Sequence, residues 1–361
     1  MSKGHLSKQS MRRTRWGVPL IGAAVALALT AAPAAACGGL VGENGTIQLT
    51  RTTTLAAYHN GIERYVTSFE FTGQGKEVGS IVPLPAVPSK VERAGDWTLQ
   101  RLEREVAPPI RESSFDGAKA SAALAPAEVI LQTKVDALDI TVLRGGGSAV
   151  GKWATSHGFL LTPDAPEMLD FYARRSPIFM AARFDASRAK SLGQNTGDGT
   201  PIMVTMKTDR PWVPLRILSL GLKKAEVVQA DVFLLNDTKP NLLAGGRGLS
   251  LDRSESANAS LLSDLRSDKH MGWIPAHMWF TFLRLDVPAR DLDYDLAIST
   301  RPGAVPSLTD AGVTAAKARP VVERAGRALW PLAAGGAVGL AAFGIAGLFG
   351  RRRRHTVGAP A

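Results

Sequence analysis

Three spacings in the sequence could carry chemistry. The first is Gly146-x-x-x-x-Gly151-Lys152 within "LDITVLRGGGSAVGKWA", which follows a strand-like run and opens a helical one, the setting of a phosphate-cradling loop. Such a loop needs a Ser or Thr hydroxyl for Mg²⁺ directly after the lysine. Trp153 stands there instead, so the glycines read as an ordinary turn. The second is Asp291, Asp293 and Asp295, whose alternation would set three carboxylates on one face of a strand. A helix-loop-helix calcium site wants Gly after the third Asp and a closing Glu. Leu296 and Pro302 hold those places, which leaves a solvated strand face. The third is the set of six histidines, of which His5 and His355 fall in the terminal segments. His270 and His277 flank Pro275, which spoils a helical ligand pair, and His157 in "ATSHGF" falls at a helix end, where a cation is favourable. There is no H-E-x-x-H and no G-x-S-x-G, and Cys37 is the single cysteine. A Ser-His-Asp set drawn from distant positions stays open. No cofactor, metal or catalytic residue is assigned.

The ends of the chain decide where any such chemistry would act. Residues 1–36 hold Lys3, Lys8, Arg12, Arg13 and Arg15 without an acid, then "WGVPLIGAAVALALT" and "AAPAAA". This predicts a secretory signal peptide cut between Ala36 and Cys37. Cys37 is expected without lipid, because Ala34 occupies the place where a lipobox has leucine. Residues 329–350 are uncharged, and at ~1.5 Å per residue they would make ~33 Å of helix, enough to span a bilayer. Trp330 falls at the outer boundary, and Arg351, Arg352, Arg353 and Arg354 place the tail 351–361 in the cytoplasm. Gly335-x-x-x-Gly339 could let two such helices pack as a weak dimer. The formal charge of +11 then has little meaning for the part between: five positive charges lie in the signal and four in the tail, leaving +2. A near-neutral exported domain offers no field for nucleic acid. Without disulfides, residues 37–300 must fold by burying a core, as one large domain or two small ones.

The elements that would position any site are legible in part. Asn60-Gly61 in "TLAAYHNGIERYVTSFEF" suits a two-residue type I′ turn, and the alternation beyond it predicts a half-buried strand in a hairpin. "EVGSIVP" adds a strand that Pro83, Pro85 and Pro88 must end, since proline lacks the amide donor. The proline stretch is read as a rigid corner leading to a helix "WTLQRLEREV", with Asp96 as its N-cap before Trp97. Farther on, "VILQTKVDALDITVL" predicts two strands about a turn, and "SAVGKWATSHGF" and "DAPEMLDFYARR" predict helices. "PIFMAARFD", "TPIMVTMK", "PLRILSLGL", "AEVVQADVFLLND" and "AHMWFTFLRLDV" predict strands, and "SANASLLSDLRSDKH" a helix. Antiparallel strands with inserted helices give an α+β class. Residues 301–328 are Pro/Ala/Gly-rich and charged, and read as a stalk.

The stretch "GSIVPLPAVPSKVERAGDWTLQRL" resembles the signature of a bacterial family of exported proteins, domain of unknown function 2330. "ACGGLV", "LDITVL", "WATSHGFLLTPDAPEMLDFYARR", "IFMAARFD" and "PWVPLRI" fit the same family in the same order. The resemblance implies export and usually membrane anchoring; it implies no activity and carries over no catalytic residue. The expectation is a single-pass envelope protein, its domain outside, that binds or organises an envelope ligand or protein and is not an enzyme. The competing reading is an exported hydrolase of wall polymer or peptide. Trp97, Trp212, Trp273 and Trp279 are candidates for an aromatic binding patch, at least two of them belonging to the core.

Overall fold

The computed structural model describes residues 34–35, 39–42, 51–69, 77–106, 127–194, 199–301 and 303–322. In chain order its elements begin with β1 (Ala34–Ala35), β2 (Gly39–Gly42), β3 (Arg51–His59), β4 (Ile62–Phe69), β5 (Glu77–Pro83), β6 (Pro88–Arg93) and α1 (Thr98–Val106). Next come β7 (Glu128–Val135), β8 (Leu138–Arg144), α2 (Gly147–Ser156), α3 (Ala165–Ala173), β9 (Ile178–Asp185), α4 (Ala186–Ser191), β10 (Thr200–Lys207) and β11 (Trp212–Val213). The rest are β12 (Val227–Asn236), β13 (Asn241–Gly245), β14 (Leu249–Ser256), α5 (Ala259–Ser267), β15 (Trp279–Pro288), β16 (Leu296–Ser299), α6 (Leu308–Ala311) and β17 (Ala318–Pro320).

The strands form three sheets. The eight-stranded sheet runs β14-β15-β12-β3-β4-β10-β6, with β1 also beside β3; the others run β2-β5-β9-β8-β7 and β11-β16-β13-β17. Among the described residues only β12 and β1 pair in parallel, both with β3. The architecture is mixed α and β, with mostly antiparallel sheets and few helices. Asn60 and Gly61 take φ of 52° and 77°, which closes the β3–β4 hairpin with His59 opposite Ile62. β4 is not half-buried as its alternation suggested: Tyr65 and Val66, on opposite faces, are both enclosed. One face of the large sheet is covered by α1 and α5 through Leu99, Leu102, Leu261, Leu262 and Leu265, each worth roughly 1.5–3 kcal/mol of burial. Its other face packs Tyr65, Val204 and Val232 against Ile140 and Met180 of the five-stranded sheet and Leu296 of the four-stranded one. The far face of the five-stranded sheet is covered by α2 and α3.

The proline stretch is where the chain passes between sheets. Pro83 ends β5 in the five-stranded sheet, Pro85 lies in the connection, and Pro88 opens β6 at the edge of the eight-stranded sheet, where its missing amide breaks no ladder. The corner therefore joins strand to strand, with α1 following β6. Asp96 does not cap that helix. Its side chain is exposed and accepts from Arg93 (2.6 Å), whose guanidinium holds the carboxyl below the usual range. The buried Asp268 accepts instead from the amides of Asp96 (3.1 Å) and Trp97 (3.0 Å) and from the Thr98 hydroxyl (2.7 Å).

The three alternating aspartates separate. Asp291 is exposed, Asp293 pairs with Lys317, and Asp295 is fully buried against Arg175. Asp295 also accepts from Tyr172 Oη (2.9 Å) and from the amides of Leu215 (2.6 Å) and Arg216 (2.8 Å). Those bonds hold Arg216–Ser219 as a 3-10 turn where a strand was expected. Residues 303–322, expected within the stalk, instead pack on the domain. β17 pairs with β13, Asp310 receives Arg210 through two nitrogens (2.7 and 2.9 Å), and Arg175 donates to the Asp310 carbonyl (2.9 Å). Among the described residues no helix is long and apolar enough to cross a membrane; the run 329–350 lies outside them.

Candidate functional site

The clearest concave surface with mixed aromatic and polar lining is a groove of about 360 Å³ on the outer face of the five-stranded sheet. Its floor comes from the period of two in β7, β8 and β9. Gln132, Thr141 and Ala181 lie in one cross-strand row, and Lys134, Asp139 and Arg183 in the next. In that second row Asp139 lies 3.5 Å from both Lys134 and Arg183, and Arg188 reaches it from α4 at 3.0 Å. The wall is the C-terminal end of α2. Gly158 takes φ of 92°, and the Gly158 and Phe159 amides bond back to Thr155 (3.5 Å) and Ala154 (3.0 Å), a Schellman stop. The stop drops the Phe159 ring onto β5 at Gly79, where an added Cβ would lie 1.8 Å from the ring. Gly79 is therefore required by the ring above it.

His157 forms the exposed lip. Its ring stacks on Trp153 at 4.1 Å and 17°, and Trp153 in turn meets Phe159 at 6.0 Å. His157 Nδ1 lies 2.9 Å from the Trp153 carbonyl oxygen and 2.9 Å from Ser156 Oγ, which itself donates to that carbonyl (2.7 Å). Nδ1–H pointing at the carbonyl leaves Nε2 as the ring's acceptor. Ser156 is thus committed to the helix end and does not stand as a nucleophile to this imidazole. What the groove can do is hold a ligand: an aromatic edge, a small floor at Ala181, amide and hydroxyl groups, and a rim in which cations outnumber the carboxylate.

Other expected features are placed elsewhere. Gly147 opens α2, and a Cβ there would strike Asp170 of α3, so the glycine run serves close helix packing. Gly151 and Lys152 fall inside α2, where their amides are spent on the helix rather than on a phosphate. Trp212 is buried beneath the Arg175 guanidinium (4.0 Å), and Arg64 covers Trp273 (4.4 Å). Trp97 is 39% exposed at the start of α1, and half-buried Trp279 donates to Ser254 Oγ (3.0 Å). The four do not form one patch with the groove, whose tryptophan, Trp153, was not among those expected. Ala36, Cys37, Trp330, Arg351, Arg352, Arg353 and Arg354 lie outside the described residues.

One pairing invisible in the sequence joins His59 to Asp237, 178 positions apart, with Nδ1 2.5 Å from Oδ1. Asn60 donates its amide to Asp237 Oδ2 (3.1 Å), and its side-chain nitrogen lies 2.9 Å from His59 Nε2. The imidazole is oriented by a carboxylate, but its remaining nitrogen is occupied. Among the described residues no group of three His, Cys, Asp or Glu is placed to hold a metal. The strongest carboxyl perturbation is at Glu63, which burial pushes up to about 8, and this group is enclosed within the fold rather than lining the groove.

No curated protein matches the chain. Among solved structures it is similar to a mutated baculovirus P35 after caspase cleavage, at 8% identity and TM-score 0.33, over 71% of this chain and 99% of that one. It is similar also to a chain of the caspase-8/P35 complex, at 9% identity and TM-score 0.30, over 69% and 90%. Scores this low carry no argument about fold or activity. With a family model matched over residues 31–237, more than half of this chain, the chain belongs to DUF2330, uncharacterized proteins conserved in bacteria.

Proposed function

We propose that the chain is a single-pass cell-envelope protein whose domain outside the membrane is a non-catalytic binding module, with the groove of Trp153, His157, Thr141 and Arg183 as its ligand site. The observation that carries this is the convergence of separate sequence blocks on one groove. "LDITVL" supplies Asp139 and Thr141, "WATSHGF" supplies Trp153, His157 and Phe159, and "IFMAARFD" supplies Ala181 and Arg183. "GSIVPLP" supplies the Gly79 on which Phe159 rests. The location follows from the sequence alone: a signal-like start, the uncharged run 329–350 and the four arginines after it. The lining favours a neutral or acidic polar envelope ligand, such as wall polymer, over an apolar one. The test is co-sedimentation of the purified protein with insoluble wall polymer. Wild type should be retained, and His157→Ala should weaken retention by about tenfold, the order of one lost contact of 1.4 kcal/mol. Lys152→Ala, exposed on the same helix and outside the groove, should bind as wild type. Equal retention of all three proteins overturns the site, and soluble fragments released by wild type would make it a hydrolase.

A further inference from the structure

A second concave surface, distinct from the groove above, lies close in the chain to the uncharged run 329–350. The four-stranded sheet contributes Leu242 and Pro320, the edge strand β14 contributes Leu251, and Val305, Pro306 and Val322 complete a cavity of about 480 Å³. Val305 and Val322 are 81% and 73% exposed, the highest among the large hydrophobic residues described. Soluble surfaces carry scattered exposed valines, but two at the mouth of one apolar cavity form a patch that calls for a cover. The rim is of a particular kind. Lys239 Nζ lies 5.6 Å from the centre of the Trp279 ring, and Trp279 is tied to Ser254 in the cavity wall. An indole and a long-stemmed cation bordering apolar surface is the arrangement that suits a membrane–water boundary, where each side chain keeps its polar end wet.

The position in the chain selects the cover. From Val322 to Leu329, where the uncharged run begins, there are seven residues, which span at most about 25 Å when fully extended. If that run crosses the bilayer, as proposed above, the patch is tethered within that reach of the outer leaflet. We infer that the Val305–Val322 patch, with Trp279 and Lys239 at its rim, docks on the phospholipid surface and sets the orientation of the domain on its membrane. This inference rests on the membrane-anchored reading and goes beyond it, because a tether alone would leave the domain free to turn.

The full chain, with Cys37→Ser as background, is reconstituted in vesicles of equal parts phosphatidylethanolamine and phosphatidylglycerol. Single cysteines are introduced as Val305→Cys, Val322→Cys and, as a control, Leu192→Cys, an exposed leucine after α4. Each carries a fluorophore quenched either by brominated lipid or by aqueous iodide. Lipid quenching at 305 and 322 should exceed that at 192 several-fold, with iodide quenching reduced in proportion, and Lys239→Glu should narrow the difference. Labels at 305 and 322 that behave like the control overturn the docking while leaving the anchor intact, provided the chain resists an alkaline carbonate wash. Labels shielded from both quenchers point to a second copy or another protein and also overturn it. Loss of the chain in the wash overturns the anchor and the docking together.

Discussion

Replacing Glu63 should change how the stability of the fold depends on pH. Its side chain on β4 is fully enclosed, neither carboxyl oxygen has a hydrogen-bond partner, and burial raises its pKa from 4.5 to about 8. A raised carboxyl pKa means that the folded state holds the proton more tightly than the unfolded state. The resulting stability is fully present below about pH 4.5 and falls as pH rises, by about 1.4 kcal/mol per unit, until it levels off near pH 8. Across that window the loss is about 5 kcal/mol, comparable to the whole stability of many domains. Glu63→Gln removes the titration while keeping the size of the side chain. Urea unfolding of wild type and variant at a series of pH values isolates the residue, because every other titrating group is common to both. The wild type should lose stability relative to Glu63→Gln between pH 5 and 8, and an infrared band of a protonated carboxyl should be present at pH 6 in wild type only. Parallel stability curves for the two proteins would refute the reasoning.

Three further outcomes are expected. Asp268→Ala, which orphans two amides and a hydroxyl at the entry to α1, should cost about 2–3 kcal/mol in chemical denaturation, whereas Asp96→Ala should change stability by less than about 0.5 kcal/mol. Asp295→Ala strands the Arg175 cation in the interior and orphans the Tyr172 hydroxyl and the Leu215 and Arg216 amides, and should cost at least about 3–5 kcal/mol; adding Arg175→Met should recover only part of that loss, because those three donors stay unpaired, and thermal melts of wild type and the two variants compare them. Gly79→Ala forces the Phe159 ring off β5 and should cost about 1–3 kcal/mol, with partial recovery when Phe159→Leu is added, again read from melting.

Local signals were legible where local physics decides the outcome. Asn60-Gly61 predicted the hairpin because both residues must take positive φ, and few residue pairs do so cheaply. Pro166 in the first turn marked α3, and "SHGF" marked the end of α2, because helix ends are set by a handful of neighbouring residues. The prolines at 83, 85 and 88 announced a corner, since no central strand tolerates missing amides, but not that the corner joins two sheets. Where the deciding partner is distant, the sequence was silent. "PLRILSLGL" has a strand-like pattern, yet Asp295, about 80 residues away, takes the Leu215 and Arg216 amides and winds the segment into a turn. Asp268 displaces the adjacent Asp96 at α1 because burial makes its hydrogen bonds count for more than those of an exposed carboxylate in water. A Pro/Ala/Gly-rich tail read as a stalk is drawn onto the domain by Arg175, Arg210 and a β-ladder, none of which its composition reveals. The groove is the plainest case: the sequence alone determined which residues stand on one face of each strand, because side chains alternate. Which strands lie side by side, and hence that Lys134, Asp139, Arg183 and the stacked Trp153–His157 pair share one surface, was decided only by long-range pairing.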